Sequence, residues 1–264
     1  MEINKIYNED CLMWMQHIPD ESIDCIICDL PYGTTELEWD KPIPFVPLWE
    51  QYERIIKPNG AILLFSFQPF TTDLINSNRK LFRYEIIWKK TQATGFFNAK
   101  KCPLRIHENI LVFYKHLPTY NPIKTIKKVA DIGRTRKNVS DKITGAFMGR
   151  VGKNKTKSWE YKDDGTRYPT DVIEFSNWNG SLFGKKYNAV KHPTQKPVQL
   201  IEYLIKTYSN EGDLIMDNCI GSGTTAIACI RTNRKYLGCE KNKDYFKLAM
   251  SRIEEEKKQP CLFY

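Results

Sequence analysis

Apolar positions along the chain change their period several times, and each change marks an element. "IDCIIC", from Ile23 to Cys28, is apolar except for Asp24, and "AILLFSF", from Ala61 to Phe67, is nearly continuous. Short runs without a polar face predict strands covered on both sides, the pattern of a parallel sheet. "INKIYNED", "YEIIW", "NILVFY", "DLIMD" and "YLGCE" add further strand candidates. Helical stretches fall between them, first around Leu12 to His17 and then from about Pro47 to Ile56, the latter closed by "KPNG" with Gly60 past its end. Pro197 suits the first turn of another helix, on which Leu200, Ile201, Leu204, Ile205 and Tyr208 share one face. "AIACIRTNRK" and Asp244 to about Lys257 complete the set. Strands alternating with helices predict an α/β fold with a doubly wound, mostly parallel sheet.

The pattern fails in the middle. "KKTQATGFFNAKKCPLRIHE" reads as a polar loop between two strands, and from Lys115 to Lys191 no apolar period persists. The chain therefore divides into residues 1–115, a basic irregular insertion at 116–191, and residues 192–264, which return to the same domain. Connections this long in compact domains usually carry function. Charge sharpens that reading. The formal net charge is +9, yet the stretch from Lys115 to Lys191 alone holds 17 Lys/Arg against 7 Asp/Glu. A surplus confined to one segment reads either as the footprint of a polyanion's binding surface or as a solvated, lysine-rich surface, and charge alone does not separate the two. If that polyanion is a nucleic acid, Asn and Gln side chains, with Trp159, Tyr161, Tyr168 and Trp178, would supply groups for base edges and stacking there.

Other classes are excluded more simply. No run approaches the roughly 18 apolar residues that span a bilayer, and "MEINKIYNED" lacks a signal peptide's basic and apolar regions. A cytoplasmic protein without membrane association is expected. Cys25 and Cys28 have C-x-x-C spacing, but residues three apart on a strand face opposite ways, so free thiols in a core are expected. His17, His107, His116 and His192 show no metal-ligand spacing. Arg105, His107 and Glu108 form a polar cluster read as loop anchoring or DNA backbone contact, without a catalytic role.

"DNCIGSGTTA" places Gly221, Gly223 and Ala226 at G-x-G-x-x-A spacing, after a strand and before a helix. Such glycines let a ligand approach the backbone at a helix N-terminus. Glu240 ends the next strand, where a carboxylate can accept from two ribose hydroxyls. An adenosine-containing ligand follows, and on this pattern alone a nicotinamide dinucleotide fits. The absence of GK[ST] excludes a Walker-type phosphate loop.

Five segments, in order, resemble the β group of DNA amino-methyltransferases that use S-adenosylmethionine. "NEDCL" resembles the family's G-D-C-L, "DLPYG" its D-P-P-Y motif, and "KKCPLRIHENILVFYK" a stretch before its recognition region. "HPTQKP" and "DNCIGSGTT" resemble its cofactor motifs. The resemblance implies a Rossmann-like methyltransferase fold in circularly permuted order. It also implies catalysis by Asp29, Leu30, Pro31 and Tyr32: the Asp29 carboxylate and the Leu30 carbonyl accept the two amino hydrogens, Tyr32 stacks on a flipped base, and Pro31 stiffens the loop. Leucine at position 30 stands where the family usually has proline. For the cofactor it implies Asp10 at adenine, Glu240 at ribose, and Asp217 at the ammonium. Thr194 and Lys196 would lie at the carboxylate, with the turn of Gly221, Ser222, Gly223 and Thr224 beneath. The acid at Asp29 favours adenine N6 over cytosine N4, and duplex DNA is the implied partner. A homodimer, a cognate restriction endonuclease and RNA as substrate stay open. Outside the resemblance, a nicotinamide oxidoreductase and a non-catalytic nucleic-acid-binding module are the competing readings.

Overall fold

The computed structural model describes residues 1–33, 40–127, 164–177 and 195–258. Two compact units result, residues 122–169 and the rest of the chain.

The larger unit is built on an eight-stranded sheet in the order β1-β10-β9-β2-β3-β5-β4-β8. These strands are β1 (Lys5–Tyr7), β2 (Ile23–Cys28), β3 (Ile56–Ser66), β4 (Phe82–Thr94), β5 (Arg105–Phe113), β8 (Val172–Phe175), β9 (Leu214–Asp217) and β10 (Lys235–Cys239). All neighbouring pairs are parallel except those made by β5, which is antiparallel to β3 and to β4. The doubly wound expectation holds. Chain order runs outward from β2 to β3 in one direction and from β9 to β10 in the other. The switch point therefore lies between β2 and β9, where such sheets bind ligands at the carboxyl ends of their strands.

Alternate residues of the central strands feed two cores. Cys25, Ile27, Ala61, Leu63, Phe65, Ile110 and Val112 pack beneath α4 (Val198–Tyr208), α5 (Thr224–Arg231) and α6 (Lys243–Lys258). Ile26, Cys28, Ile62, Leu64, Leu111 and Phe113 face the other way, toward α1 (Cys11–Met15), α2 (Phe45–Ile55) and α3 (Phe70–Ser77). The period of two thus places Cys25 and Cys28 on opposite faces. Burial pushes the Cys28 thiol up to about 12, so it serves as a small apolar group.

Three expectations change. The helix before "KPNG" stops at Ile55, as expected, but no loop follows: β3 begins at Ile56 and carries Lys57 to Gly60 within it. Pairing with β2 shifts register there, from Ile23↔Ile56 to Cys25↔Ala61, which is how a strand accommodates a proline lacking its N–H. The polar loop between β4 and β5 is also shorter than expected, because both strands extend through it into a long hairpin. Finally, β8 lies inside the stretch assigned to the irregular insertion yet forms an edge of the main sheet. In the smaller unit, β6 (Thr125–Ile126) and β7 (Thr166–Arg167) pair antiparallel, and Lys124 bonds Asp164 at 2.7 Å. Residues 128–163 and 178–194, which include Trp159, Tyr161, Trp178 and Thr194, lie outside the described residues. Among the described residues no helix is long and apolar enough to cross a membrane, and no group of side chains can hold a metal ion.

The bulge at Gly60 is tightly packed. A Cβ there would stand 2.6 Å from the Ile56 side chain and 2.9 Å from the Asp24 carbonyl oxygen. Gly60→Ala should therefore lower unfolding stability by about 1–3 kcal/mol, read as a lower urea midpoint with unchanged slope.

Candidate active site

A cavity of about 1060 Å³ opens at the switch point. Its walls include Asp29 to Tyr32 after β2, Asp217 to Ser222 after β9, and Glu240 after β10. Asp10, Lys196 and Thr224 line the same space. The acid loop and the glycine-rich turn, which sequence alone could not place side by side, share one cleft.

The loop after β2 is held from several directions. Leu30 is buried in the core, so packing supplies the rigidity that a second proline would have given. Asp40 Oδ1 accepts from the Tyr32 and Gly33 N–H groups at 2.8 and 2.9 Å. Gly33 turns with φ +68°, and a Cβ there would meet Pro42 Cγ at 2.5 Å. The Tyr32 ring rests on Phe67 and Phe70, with centroids 4.9 and 5.0 Å away. Asp40 carried no motif; its role follows only from the fold.

Both oxygens of Asp29 are engaged. Oδ1 accepts from the Tyr32 hydroxyl, and Oδ2 lies 2.7 Å from Lys196 Nζ. Lys196 reaches Glu108 Oε2 at 3.0 Å, and Glu108 Oε1 lies 2.5 Å from Lys90 Nζ. Four charged groups therefore form one row, acid and base alternating, with the side chains of Lys196 and Glu108 only 10% and 13% exposed. Burial raises the Asp29 carboxyl above its ordinary range, Lys196 pulls it down, and Glu108 adds to the rise. Burial would also raise Glu108, but Lys196 and Lys90 outweigh it and hold the carboxyl at about 2. For Lys196 burial opposes the charge, and the two carboxylates overcome it and raise its pKa. Burial alone cannot select such a row; each charge persists because its neighbours have the opposite sign.

This places two residues differently from the sequence reading. Lys196, assigned to a cofactor carboxylate, stands between two protein carboxylates. Glu108, read as loop anchoring or backbone contact, lies in the cavity wall as the link between two lysines. The signal was available only as "HE" beside a strand, where nothing in the spacing tied it to Asp29, 79 residues earlier, or to Lys196 beyond the insertion.

At the other wall, Gly221 and Gly223 adopt left-handed backbone, φ 52° and 83°. Gly223 also fits closely, since a Cβ there would lie 3.1 Å from that of Ala249. Glu240 bridges the turn, accepting from the Gly221 N–H at 2.9 Å and the Asn242 N–H at 2.7 Å. Ser222 bonds Gln195 at 3.2 Å, and the Arg252 guanidinium donates to the Ser222 hydroxyl at 2.8 Å. Asp217 accepts from Thr225 and from the Cys219 N–H at 2.6 and 3.1 Å. Burial pushes its carboxyl up to about 7, against those hydrogen bonds. Asp10 caps α1 through the Leu12 N–H at 3.0 Å and meets Lys241 at 3.1 Å, while still lining the cavity. Acids at the ends of three strands suit a ligand carrying positive charge and hydroxyl donors.

Known proteins resemble this chain throughout. A family model described as DNA methylase matches residues 23–251. The type II methyltransferase M.HpaI of Haemophilus parainfluenzae is 29% identical over 255 residues, covering 92% of this chain and 71% of that protein. M1.MboII of Moraxella bovis is 28% identical over 263 residues, covering 94% and 96%. Among solved structures, the cytosine-N4-specific PvuII DNA methyltransferase matches with a TM-score of 0.65 at 15% identity, over 98% of this chain and 88% of that one. The M1.HpyAVI complex with S-adenosylmethionine matches with a TM-score of 0.60 at 22% identity, over 94% and 98%.

The row of charges carries a pH signature. Glu108, held at about 2 against an ordinary 4.5, contributes stability above pH 4.5 that is lost as pH falls toward 2. Glu108→Gln removes the carboxylate that pairs Lys90 and leaves Lys196 with Asp29, and should cost about 3 kcal/mol at pH 7. That deficit should narrow below pH 4.5, where Glu108 of the unfolded wild-type chain takes up a proton that the folded protein does not; denaturant titrations at pH 7 and pH 3 measure it.

Proposed function

The chain belongs to the DNA methylase family, and on that premise we propose that it methylates the N6 amine of a flipped adenine at a specific site in duplex DNA. The observation that carries this reading is the cavity whose walls hold both the Asp29–Tyr32 loop and the Gly221–Thr224 turn. S-adenosylmethionine is the methyl donor of the family, and when bound it supplies the electrophilic methyl carbon.

The chain's own residues then have distinct work. An adenine amine is a weak nucleophile because its lone pair is delocalised into the ring. Acceptors on both amino hydrogens favour the tetrahedral form that can attack. Asp29 and the Leu30 carbonyl are those acceptors, and fixed dipoles of this kind cost little reorganisation as charge develops. Lys196, held by Glu108, keeps Asp29 Oδ2 in place, so that Oδ1 is the oxygen offered to the amine. Tyr32 presents its ring to the extruded base and yields its hydroxyl's hold on Oδ1. Asp29 also favours adenine through the family resemblance, in which cytosine-N4 enzymes more often carry serine there.

For the donor, Gly221 and Gly223 admit the methionine portion close to the backbone, with Ser222 and Thr224 beside it. Glu240 faces the ribose hydroxyls, Asp10 the adenine and Asp217 the ammonium. Thr194 is assigned with Lys196's motif to the carboxylate end. The basic stretch 116–191 selects the target, with Lys and Arg on phosphates.

Labelled methyl transfer to duplex DNA tests the reading, followed by nucleoside analysis of the digest. N6-methyladenine is expected; 4-methylcytosine would replace the adenine assignment, and methylation of RNA alone would replace the substrate. Asp29→Ala should abolish turnover; because it also leaves Lys196 with Glu108 alone, its thermal midpoint should fall, and activity is read at a temperature where circular dichroism shows the variant folded. Near-normal activity in that variant would remove Asp29 from the chemistry.

The two functions of Tyr32 separate by substitution. Tyr32→Phe keeps the ring and frees Oδ1, so kcat/KM should stay within a fewfold of wild type. Tyr32→Ala removes the stacking surface, worth roughly 1–3 kcal/mol, and should lose about 5- to 150-fold. Equal losses in both would place the hydroxyl, not the ring, at the centre of its role.

A further inference from the structure

The hairpin of β4 and β5 continues past the cavity wall. Because β5 is antiparallel to both β3 and β4, β4 runs in the same sense as β2 and β3. Its carboxyl end therefore emerges at the edge of the sheet where the cavity opens. Lys90 and Glu108 lie near the base of this hairpin, and Thr94, Gly95 and Arg105 line the cavity farther out. The Arg105 guanidinium sits 4.2 Å from the centroid of the Phe67 ring, which in turn contacts Tyr32. The outer part of the hairpin is thus joined through side chains to the loop after β2.

At the tip, Gly95 turns with φ 93° into a single 3-10 turn, Phe96–Asn98. Phe97 is fully exposed and Phe96 is 71% exposed. Lys100 and Lys101, also exposed, follow within four residues. Isolated apolar side chains on a surface need no account. Two adjacent phenylalanines at the apex of a polar hairpin, beside lysines and on the rim of a cavity that takes a base, are a different case. Extruding a base leaves a gap in the stack, and proteins that deform duplexes insert apolar wedges between base steps while cations hold the adjacent phosphates.

We propose that the tip of the β4–β5 hairpin is a DNA wedge, with Phe97 entering the base stack at the step vacated by the extruded base and Lys100 and Lys101 on the flanking phosphates. The proposal rests on the reading that the chain acts on a flipped base. Phe97 makes the stacking contact, and Phe96 covers the neighbouring sugar. Tyr32 holds the base outside the helix while Phe97 occupies its place inside.

Binding measurements test the wedge without requiring methyl transfer. The probes are a duplex containing the methylated site mapped in DNA from cells expressing the chain, or a mixed-sequence duplex where no site is methylated, the same duplex with an abasic residue at the target adenine, and the target strand alone. Phe97→Ala should weaken binding to the abasic duplex about tenfold, the scale of one lost stacking contact, and change single-strand binding less than about twofold. Phe97→Trp should restore duplex binding. In a duplex carrying 2-aminopurine at the target, the fluorescence rise on binding should fall in the alanine variant and return in the tryptophan variant. Equal losses on duplex and single strand, or no loss on the abasic duplex, would overturn the wedge. If gap-dependent binding persists but no DNA is ever methylated, the wedge stands and the methylation reading fails.

Discussion

The parallel pairing of β2 with β9 sets the position of everything at the site. Cys25 lies opposite Ile215 and Ile26 opposite Met216, joining strands separated by most of the chain. Asp24 reinforces the seam, one oxygen accepting from the Leu214 N–H at 2.9 Å and the other from Lys57 at 2.6 Å. With that register fixed, the loops leaving the two strands emerge beside each other. The acid of one and the glycines of the other then line the same cleft. A slip of one residue would exchange the two faces of β2 and send its core side chains to the wrong layer.

On this frame the site is tuned by pairing rather than by exposure. Asp29 is held by a hydroxyl and an ammonium, and that ammonium is held by a second acid with its own lysine. Tyr52 plays a comparable part on the opposite side, its hydroxyl donating to Asn218 at 2.5 Å and tying α2 to the loop after β9. These contacts restrict movement of the side chains lining the cleft before any ligand arrives. Preorganisation of this kind is where catalytic sites gain most of their electrostatic advantage.

The sheet and the glycine turn were readable because their signals are local. A strand buried on both faces has no polar position to hide, and a turn that needs left-handed backbone selects glycine at Gly221 and Gly223. The network around Asp29 had no such signal. Lys90, Glu108 and Lys196 come from three segments, and a lysine before a proline reads equally well as a ligand for a bound carboxylate. Asp40 was silent for the same reason, since its partners are backbone N–H groups across a turn. "KPNG" marked the end of α2 but not the strand it lies in, because proline and glycine punctuate helices and bulges alike and only the register against β2 shows the bulge.

The alternating row has a consequence for sequence change. With both carboxyls ionised and both amines protonated, Lys90, Glu108, Lys196 and Asp29 sum to zero, so the cluster projects little net field into the cleft. Replacing one member by a neutral residue strands an unbalanced charge where solvent cannot screen it. Replacing an adjacent acid and base together restores neutrality. Divergence at these positions is therefore constrained to compensated exchanges, and a homologue lacking Glu108 should lack one of its lysines as well.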